Sequence, residues 1–311
     1  MHSAATSALS GTTDVYLIVG HPVAQVQAPA LFNAVFARAG LNAVMVPVQI
    51  APGQVLEFVK AAFLAPNIRG LCATIPHKTV LAEWVDDCSP MGRIAGAVNA
   101  VRRHADGRLE GALFDGQGLR AALDYFGMAY ASRRVLVLGA GGAAAAIATE
   151  LACAMPGAAA HVSLFDPVPG KAEAVASRIA RHTPAQVLAA SSNDPAGFDL
   201  VINASPLGLQ PDDALPCDVL RMEPHAAVMD IVMKHQPSPW VRAARARGLL
   251  AQPGFEMLIQ QTVPYLEFFG QHTAAELVRT DATFLREQIY PSTLRSEIRG
   301  REPHLLIPAL L

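Results

Sequence analysis

The stretch RRVLVLGAGGAAAAIATEL, from Arg133 to Leu151, decides the fold of this chain. Its apolar run from Val135 to Leu138 is typical of a strand that is buried on both faces. The run ends in a glycine turn, and an alanine-rich segment of helical character follows. A strand, a tight glycine turn and a helix in this order predict one unit of a doubly wound parallel α/β sheet.

The glycine turn has the spacing G-x-G-x-x-A, which favours dinucleotide binding. Glycines let the backbone approach a pyrophosphate, whose charge is stabilised by the free N–H groups and the positive end of the following helix. Such a turn alone also occurs where a helix and a strand merely pack closely, but here a second strand, HVSLF, ends at an acidic residue. The predicted cofactor contacts are Gly139, Ala140, Gly141, Gly142, Ala143, Ala144 and Asp166.

Length, charge and cysteine usage narrow the class of protein. The chain has 311 residues, enough for two domains that each bury a core. Its four cysteines are scattered without a C-x-x-C pattern, so we expect no disulfide framework, no metal site and a cytoplasmic location. A net charge of -2 and the lack of a long apolar run argue against nucleic-acid and membrane partners. We expect a small-molecule substrate and a monomer or homodimer.

Strand and helix patterns alternate on both sides of the glycine turn. Before it, three strand-like runs enclose two helical segments begun by proline, which predicts a β-α-β-α-β unit with a parallel sheet. After it, further alternations predict the second half of a doubly wound sheet, followed by two closing helices over 255–270 and 274–288. The sequence therefore predicts two α/β domains.

Three polar residues stand out as candidates for chemistry, and each has a plainer alternative. Lys78 follows a strand and a proline turn in ATIPHK, where a side chain can enter a crevice, although most surface lysines are simply solvated. Asn99 lies between apolar residues in GAVNAV and needs hydrogen-bond partners if buried, which a structural role would also satisfy. Asp115 in GALFDGQG could instead cap the following helix.

Taken in order, the segments ATIPHK, GAVNAV, DG, GAGGAAAA, NASPLG and GFEML resemble the shikimate/quinate dehydrogenase family over residues 14–270. The resemblance implies an NAD(P)-dependent oxidoreductase that moves a hydride between nicotinamide and a secondary hydroxyl of a cyclic hydroxy acid such as shikimate or quinate. It also implies a discontinuous N-terminal substrate domain, residues 14–114 and 256–311, and a Rossmann-type dinucleotide-binding domain, residues 115–255.

The resemblance also assigns roles to individual residues. Lys78 becomes the catalytic lysine and Asp115 its carboxylate partner, and together they would hold the hydroxyl proton. Thr74 and Asn99 become substrate contacts, as does Gln261, which matches the glutamine of the family's GxxMLxxQ segment. The additional cofactor contacts implied are Asn203, Ser205, Ile231 and Gly254.

The chain departs from the family where the substrate carboxylate is expected to bind. The family's S-x-S-P segment is replaced by VQAP, so Val26 and Ala28 stand at positions where two serines would donate hydrogen bonds. Gln25 and Gln27 flank them and are candidate substitutes that could equally face solvent. Apolar Leu113, Phe114 and Met233 replace further polar residues. An oxidoreductase for a less polar alcohol and a non-enzymatic NAD-binding sensor therefore remain as alternatives.

The loop after the strand HVSLF predicts NAD in preference to NADP. The family's NADP-dependent members carry an N-R-T type loop here, whereas this chain has FDPVPGK. The Asp166 carboxylate could accept hydrogen bonds from the ribose hydroxyls and repel a 2′-phosphate. Lys171 could offset that repulsion, and Asp166 could merely cap the next helix, which would leave the choice of cofactor open.

Overall fold

A computed structural model of the chain describes residues 9–153 and 156–298. The described residues form two compact units. One unit comprises residues 115–260, and the other comprises the described residues before Asp115 and after Gln260. The continuous unit thus ends at residue 260, whereas the sequence suggested that it ends at residue 255.

The discontinuous unit is built around a six-stranded sheet in the order β2-β1-β3-β5-β6-β4. Strand β1 pairs in parallel with β2 and β3, as the β-α-β-α-β pattern predicted. Strands β5 and β6 add an antiparallel hairpin, which the sequence did not reveal; its turn is closed by Gly107 at a φ of 92°. The strands are β1 (Asp14–Gly20), β2 (Ala43–Gln49), β3 (Ile68–Ala73), β4 (Asp87–Cys88), β5 (Ala100–Arg103) and β6 (Leu109–Ala112).

Helices from both ends of the chain complete this unit. The predicted closing helix over 255–270 is broken at Gln261, because Pro264 has no N–H to donate to the carbonyl of Gln260. The segment predicted as a second closing helix forms two helices separated near Asp281, whose backbone is extended. The helices are α1 (Ala28–Arg38), α2 (Val55–Ala62), α3 (Lys78–Trp84), α4 (Pro90–Ala95), α10 (Thr262–Phe268), α11 (His272–Thr280), α12 (Thr283–Ile289) and α13 (Arg295–Ile298).

Alternating side chains of β1 supply the cores on the two faces of this sheet. Leu17 and Val19 belong to a buried cluster with residues of α2 and α3. Tyr16 and Ile18 point to the opposite face, where Tyr16 stacks on Phe36 of α1 with ring centroids 5.2 Å apart. Both faces of the sheet are thus covered by helices.

The continuous unit contains a six-stranded sheet in the order β12-β11-β10-β7-β8-β9, and every pair in it is parallel. The strand order reverses between β7 and β10, which makes the carboxyl ends of these strands the expected ligand site. The predicted fold class, two α/β units of which one is doubly wound, is confirmed. Its strands are β7 (Arg134–Leu138), β8 (His161–Phe165), β9 (Gln186–Ala189), β10 (Leu200–Asn203), β11 (Ala227–Asp230) and β12 (Leu250–Pro253).

Five α-helices are described in this unit. They are α5 (Asp115–Phe126), α6 (Gly142–Cys153), α7 (Lys171–Ala180), α8 (Pro239–Ala246) and α9 (Phe255–Gln260). Helices α6, α7 and α8 pack against its strands, and α5 packs against both α6 and α9. Within the described part of the chain, no helix combines the length and the apolar character that crossing a membrane requires.

Candidate active site

Lys78 is the first residue of α3, immediately after the turn that leaves the carboxyl end of β3. The turn is held by two backbone hydrogen bonds at 2.9 Å, from Thr74 N–H to the Val19 oxygen and from His77 N–H to the Thr74 oxygen. Lys78 is only 8% exposed, and its backbone oxygen accepts the N–H of Val98 at 2.9 Å. A freely solvated surface lysine, the plainer alternative, does not describe this residue.

Asn99 is fully buried, and its side chain contacts that of Gln261. Its Oδ1 accepts the backbone N–H of Phe114 at 3.0 Å, and its Nδ2 donates to Gln261 Oε1 at 3.4 Å. These hydrogen bonds give Asn99 the structural role, and its contact with substrate stays a prediction. Sequence spacing could not show that Asn99 and Gln261 meet, because they lie 162 residues apart.

Phe114, one of the apolar residues that replace polar ones, is buried in the core of its unit. Its ring makes edge contacts with Tyr265 at 5.0 Å and Phe268 at 5.8 Å between centroids. The Arg102 guanidinium lies 4.5 Å from the centroid of the Phe268 ring. The apolar replacement is thus compensated by aromatic packing.

The segment that replaces the two family serines leads into α1. The Gln25 amide nitrogen donates to the backbone oxygen of Pro22 at 3.0 Å, so one of its donors is used locally. Gln27 precedes α1 without capping it through its side chain, and Ala28 is the first helical residue and is buried. Val26 is half-buried and has no side-chain donor.

The glycine turn of the other unit has the geometry that close approach of a ligand requires. Gly139 has a φ of 113°, and a Cβ there would lie 2.7 Å from the Ala204 oxygen, so only glycine fits. A Cβ on Gly141 would meet open space, which leaves room for another molecule beside the backbone. Helix α6 begins at Gly142, and the N–H groups of its first turn have no partner within the helix.

Asp166 braces this turn. Its Oδ2 accepts the Ala140 N–H at 2.9 Å and the Lys171 ammonium at 3.1 Å, and its Oδ1 accepts the Val168 N–H at 3.1 Å. Burial favours the neutral acid, but the hydrogen bonds from Val168, Lys171 and Ala140 outweigh it and lower the pKa of Asp166 below its ordinary value. The carboxylate is therefore ionised, paired and directed at the protein backbone.

Asn203 and Ser205 form a network at the carboxyl end of β10, next to the glycine turn. Asn203 Oδ1 accepts the Ser205 hydroxyl at 2.6 Å, and its Nδ2 donates to Asp230 Oδ1 at 2.9 Å. Asp230 is 1% exposed, and burial raises its pKa although neighbouring donors lower it. Sequence reasoning missed Asp230, although a carboxylate ending the apolar run AAVMD could have signalled it.

Gly254 allows the chain after β12 to pass close to Ile231. A Cβ on Gly254 would lie 2.7 Å from the Ile231 Cα. The Ile231 N–H donates to the Asn203 oxygen at 3.1 Å. All the predicted cofactor contacts in this unit therefore lie at the ends of β7, β8, β10, β11 or β12 or directly after them, at the carboxyl edge of the doubly wound sheet.

Comparison with known proteins identifies the family. Residues 18–101 match the family model for the shikimate dehydrogenase substrate binding domain. A shikimate dehydrogenase (NADP(+)) of Symbiobacterium thermophilum is 36% identical over 275 residues, which are 85% of this chain and 92% of the relative. The chain belongs to the shikimate dehydrogenase family. The enzyme of the same name from Acidiphilium cryptum is 38% identical over 264 residues, 84% of this chain and 92% of the relative.

Solved structures of the family share the fold. Ligand-free 5-ketofructose reductase of a Gluconobacter species is 30% identical, with a TM-score of 0.72, covering 85% of this chain and 97% of the other. Shikimate 5-dehydrogenase from Thermus thermophilus, in complex with NADP(H) and shikimate, is 27% identical, with a TM-score of 0.72, covering 85% and 99%. Membership establishes that the chain is an NAD(P)-dependent oxidoreductase.

The prediction that NAD is preferred to NADP is wrong. The curated relatives at 36% and 38% identity are named for NADP(+), and the Thermus structure holds NADP(H). The physical reason lies in the contacts of Asp166. Its carboxylate accepts hydrogen bonds from the Ala140 and Val168 N–H groups and is paired with the Lys171 ammonium, so a cation stands beside the charge that was expected to repel a 2′-phosphate.

Proposed function

We propose that this protein is an NADP(H)-dependent oxidoreductase that interconverts a secondary hydroxyl and a ketone on a small polyhydroxylated substrate. The observation that carries the proposal is the burial of Lys78 at the carboxyl end of β3, within the unit that holds the Asn99–Gln261 pair. A buried lysine at a strand end can exchange a proton with a substrate hydroxyl that binds against it.

The glycine turn and its surroundings would hold the cofactor. The open space at Gly141 and the N-terminus of α6 fit a pyrophosphate, and Asn203 and Ser205 lie at the adjacent strand end. When bound, the nicotinamide supplies the hydride acceptor or donor. Lys171, the cation paired with Asp166, is our candidate for contact with the 2′-phosphate.

In this proposal Lys78 and Asp115 handle the hydroxyl proton. Lys78 Nζ takes the proton as the alcohol is oxidised and returns it as the ketone is reduced, and the Asp115 carboxylate stabilises the charged ammonium. Thr74, Asn99 and Gln261 orient the substrate hydroxyls. The 3.4 Å distance between Asn99 Nδ2 and Gln261 Oε1 is long for a hydrogen bond, so a substrate hydroxyl would compete well for both groups.

One observation favours a neutral substrate over a cyclic hydroxy acid. Val26 and Ala28 offer no side-chain donors to a carboxylate, and Gln25 donates to the Pro22 oxygen instead. A buried carboxylate without donors is costly, by several kcal/mol. The 30%-identical Gluconobacter protein is named for 5-ketofructose, a ketose without a carboxylate. We therefore place the reduction of a neutral polyhydroxy ketone first, and the oxidation of a cyclic hydroxy acid is the second candidate function.

Steady-state kinetics with NADP+ and NADPH on a panel of cyclic hydroxy acids and neutral ketoses tests the proposal. Lys78→Met should lower kcat by roughly 10²- to 10⁴-fold on any active substrate and leave the Kd of NADP+ within about threefold. Lys60→Met, which removes an exposed lysine of the same unit, is the control and should change neither quantity. A folded Lys78→Met variant that retained most of its turnover would refute the assigned chemistry.

A further inference from the structure

Helices α5 and α6 run parallel in a fixed register. A Cβ on Gly116 would lie 2.4 Å from the Ala146 oxygen, so the two helices touch backbone to backbone at this level. One turn later, Arg120 Nε lies 2.8 Å from Glu150 Oε1. Both pairings join residues 30 positions apart, 116 with 146 and 120 with 150, so the helices advance together from their N-termini.

This register places the start of α5 beside the start of α6. The same offset sets Asp115, the first residue of α5, level with Ala145. Gly142, which opens α6 after the glycine turn, stands three residues earlier, or about 4.5 Å along the helix axis. The helix register thus fixes the position of Asp115, the proposed proton-handling carboxylate, along the α6 axis relative to the predicted pyrophosphate site. Both lie in the same compact unit.

The Arg120–Glu150 pair has no role in the chemistry proposed above, yet it joins opposite charges across this helix interface. The Glu150 side chain is 9% exposed, and the Arg120 side chain is 32% exposed. Burial raises the pKa of Glu150, and Arg120 counteracts that rise. Sliding or rotating α5 against α6 would separate the two charges. The separation is unfavourable, because it would leave the buried Glu150 carboxylate without its counter-charge.

We propose that Arg120 and Glu150 are positioning residues that fix the distance between Asp115 and the glycine turn along the helix axis. This inference rests on the proposed function, because Asp115 matters only if it handles the proton. Gly116 permits the close approach, and the ion pair one turn along prevents the helices from sliding. Misplacing a reacting group by about 1 Å can cost on the order of 100-fold in rate, so a small slip would be measurable.

Three variants test the pair: Arg120→Met, the milder Glu150→Gln, and the exchanged pair Arg120→Glu with Glu150→Arg. We expect Arg120→Met to lower kcat by about tenfold to 100-fold while KM for NADP+ stays within about threefold. Glu150→Gln keeps an acceptor for Arg120 and should show a smaller loss. The exchanged pair restores opposite charges at the same two positions and should recover kcat to within about threefold of the parent.

Amide hydrogen exchange of the protein without cofactor or substrate supplies a readout independent of turnover. Exchange should accelerate in the first two turns of α5, residues 115–122, in Arg120→Met and return to the parent rate in the exchanged pair. Arg221→Met breaks the exposed Arg221–Asp194 pair of the same unit, whose oxygen and nitrogen lie 2.6 Å apart. This control should alter neither kcat nor exchange in α5.

Two results would overturn the inference. One is a folded Arg120→Met variant with parental kcat and parental exchange at residues 115–122. The other is a kcat loss accompanied by uniformly faster exchange throughout residues 115–260 without rescue by the exchanged pair, which would indicate general destabilisation. If Arg120→Met does not fold, Glu150→Gln decides between the same outcomes. Absence of turnover in the parent would refute the proposed function instead, and the exchange data would still test the helix register.

Discussion

The Tyr265 hydroxyl donates a hydrogen bond to the backbone oxygen of Asn99 at 3.0 Å, across 166 residues of chain. The same oxygen accepts the Ala73 N–H at 2.8 Å, so it joins β3 to the helix that returns from the other unit. Helix α10, which carries Tyr265, begins directly after Gln261, the partner of the Asn99 side chain. The chain after residue 260 thus supplies two contacts of Asn99, one from Gln261 and one from Tyr265.

The first prediction concerns this hydrogen bond. Tyr265→Phe should lower the free energy of unfolding by about 1 kcal/mol, because the Asn99 oxygen loses one of two donors while the ring and its packing remain. It should also raise KM for the substrate, since Gln261 becomes less well fixed. Urea unfolding and initial-rate kinetics check the two effects.

Tyr130→Phe is the matched control for Tyr265→Phe. It removes a phenol hydroxyl that donates to Asp124 at 3.3 Å at the surface, where water can replace it. We expect no change in the free energy of unfolding beyond about 0.5 kcal/mol. Equal effects of the two substitutions would mean that the Tyr265–Asn99 hydrogen bond does not hold α10.

Features fixed by local chemistry could be predicted from the sequence, and features that depend on long-range contacts could not. The glycine turn was predictable because a positive φ at Gly139 and a close approach to Ala204 both demand glycine at one position. The contact between Asn99 and Gln261 emerged only from the fold, because no periodicity links residues so far apart.

The prediction of the cofactor was wrong for a related reason. A carboxylate at the end of the second strand favours NAD if it faces the ribose, but it gives no such preference if its oxygens accept hydrogen bonds from the backbone. Only the structure shows that the Ala140 and Val168 N–H groups bind Asp166. Lys171 was recognised in the sequence as a residue that could offset the repulsion, and its 3.1 Å ion pair gives that alternative a physical basis.

The second prediction separates two glycines of the turn. Gly139→Ala should destabilise the protein by several kcal/mol, because its φ of 113° and the 2.7 Å approach to the Ala204 oxygen both oppose a side chain. Gly141→Ala has open space for its methyl group and should keep the parental Tm. It should nevertheless weaken NADP+ binding by tenfold or more (about 1.4 kcal/mol), because the methyl group occupies the space proposed for the pyrophosphate.

Differential scanning calorimetry and titration calorimetry with NADP+ distinguish the two glycine variants. A Gly141→Ala variant that binds NADP+ with parental affinity would place the pyrophosphate elsewhere. A Gly139→Ala variant with parental Tm would contradict the stated need for glycine at that position.

The third prediction is a pH dependence that arises from Asp166. Its pKa in the folded state lies below the ordinary value of 3.8, so between these two values the unfolded chain binds more protons and stability rises with pH. The contribution is complete above the unfolded pKa and is lost as the pH falls through the folded pKa. The parent should therefore exceed Asp166→Asn in free energy of unfolding at pH 7, with a gap that narrows below about pH 4.

Urea unfolding of both proteins across this pH range measures the gap. Asp212→Asn is a suitable control, because it removes an exposed carboxylate of the same unit. A gap between parent and Asp166→Asn that stayed constant from about pH 7 to about pH 3 would show that the ionised carboxylate does not brace the turn.

The last prediction concerns the class of substrate. In the parent, Val26 and Ala28 give a carboxylate no side-chain donors, and the neighbouring Gln25 donates to Pro22. The double substitution Val26→Ser with Ala28→Ser should raise kcat/KM for shikimate by about tenfold or more, because each well-placed donor contributes about 1 to 3 kcal/mol to a charged partner. Activity on a neutral ketose should not rise, since it has no carboxylate to bind.

The same double variant should have a modestly lower Tm without ligand, because position 28 is buried and its new hydroxyl then has no carboxylate to donate to. Binding of shikimate should reverse this fall in Tm. Ala24→Ser, at an exposed position of the same segment, should change neither activity. The prediction is contradicted if the parent turns over shikimate faster than every neutral ketose and the double variant shows no gain. In that case other groups bind the carboxylate, and a cyclic hydroxy acid is the favoured substrate.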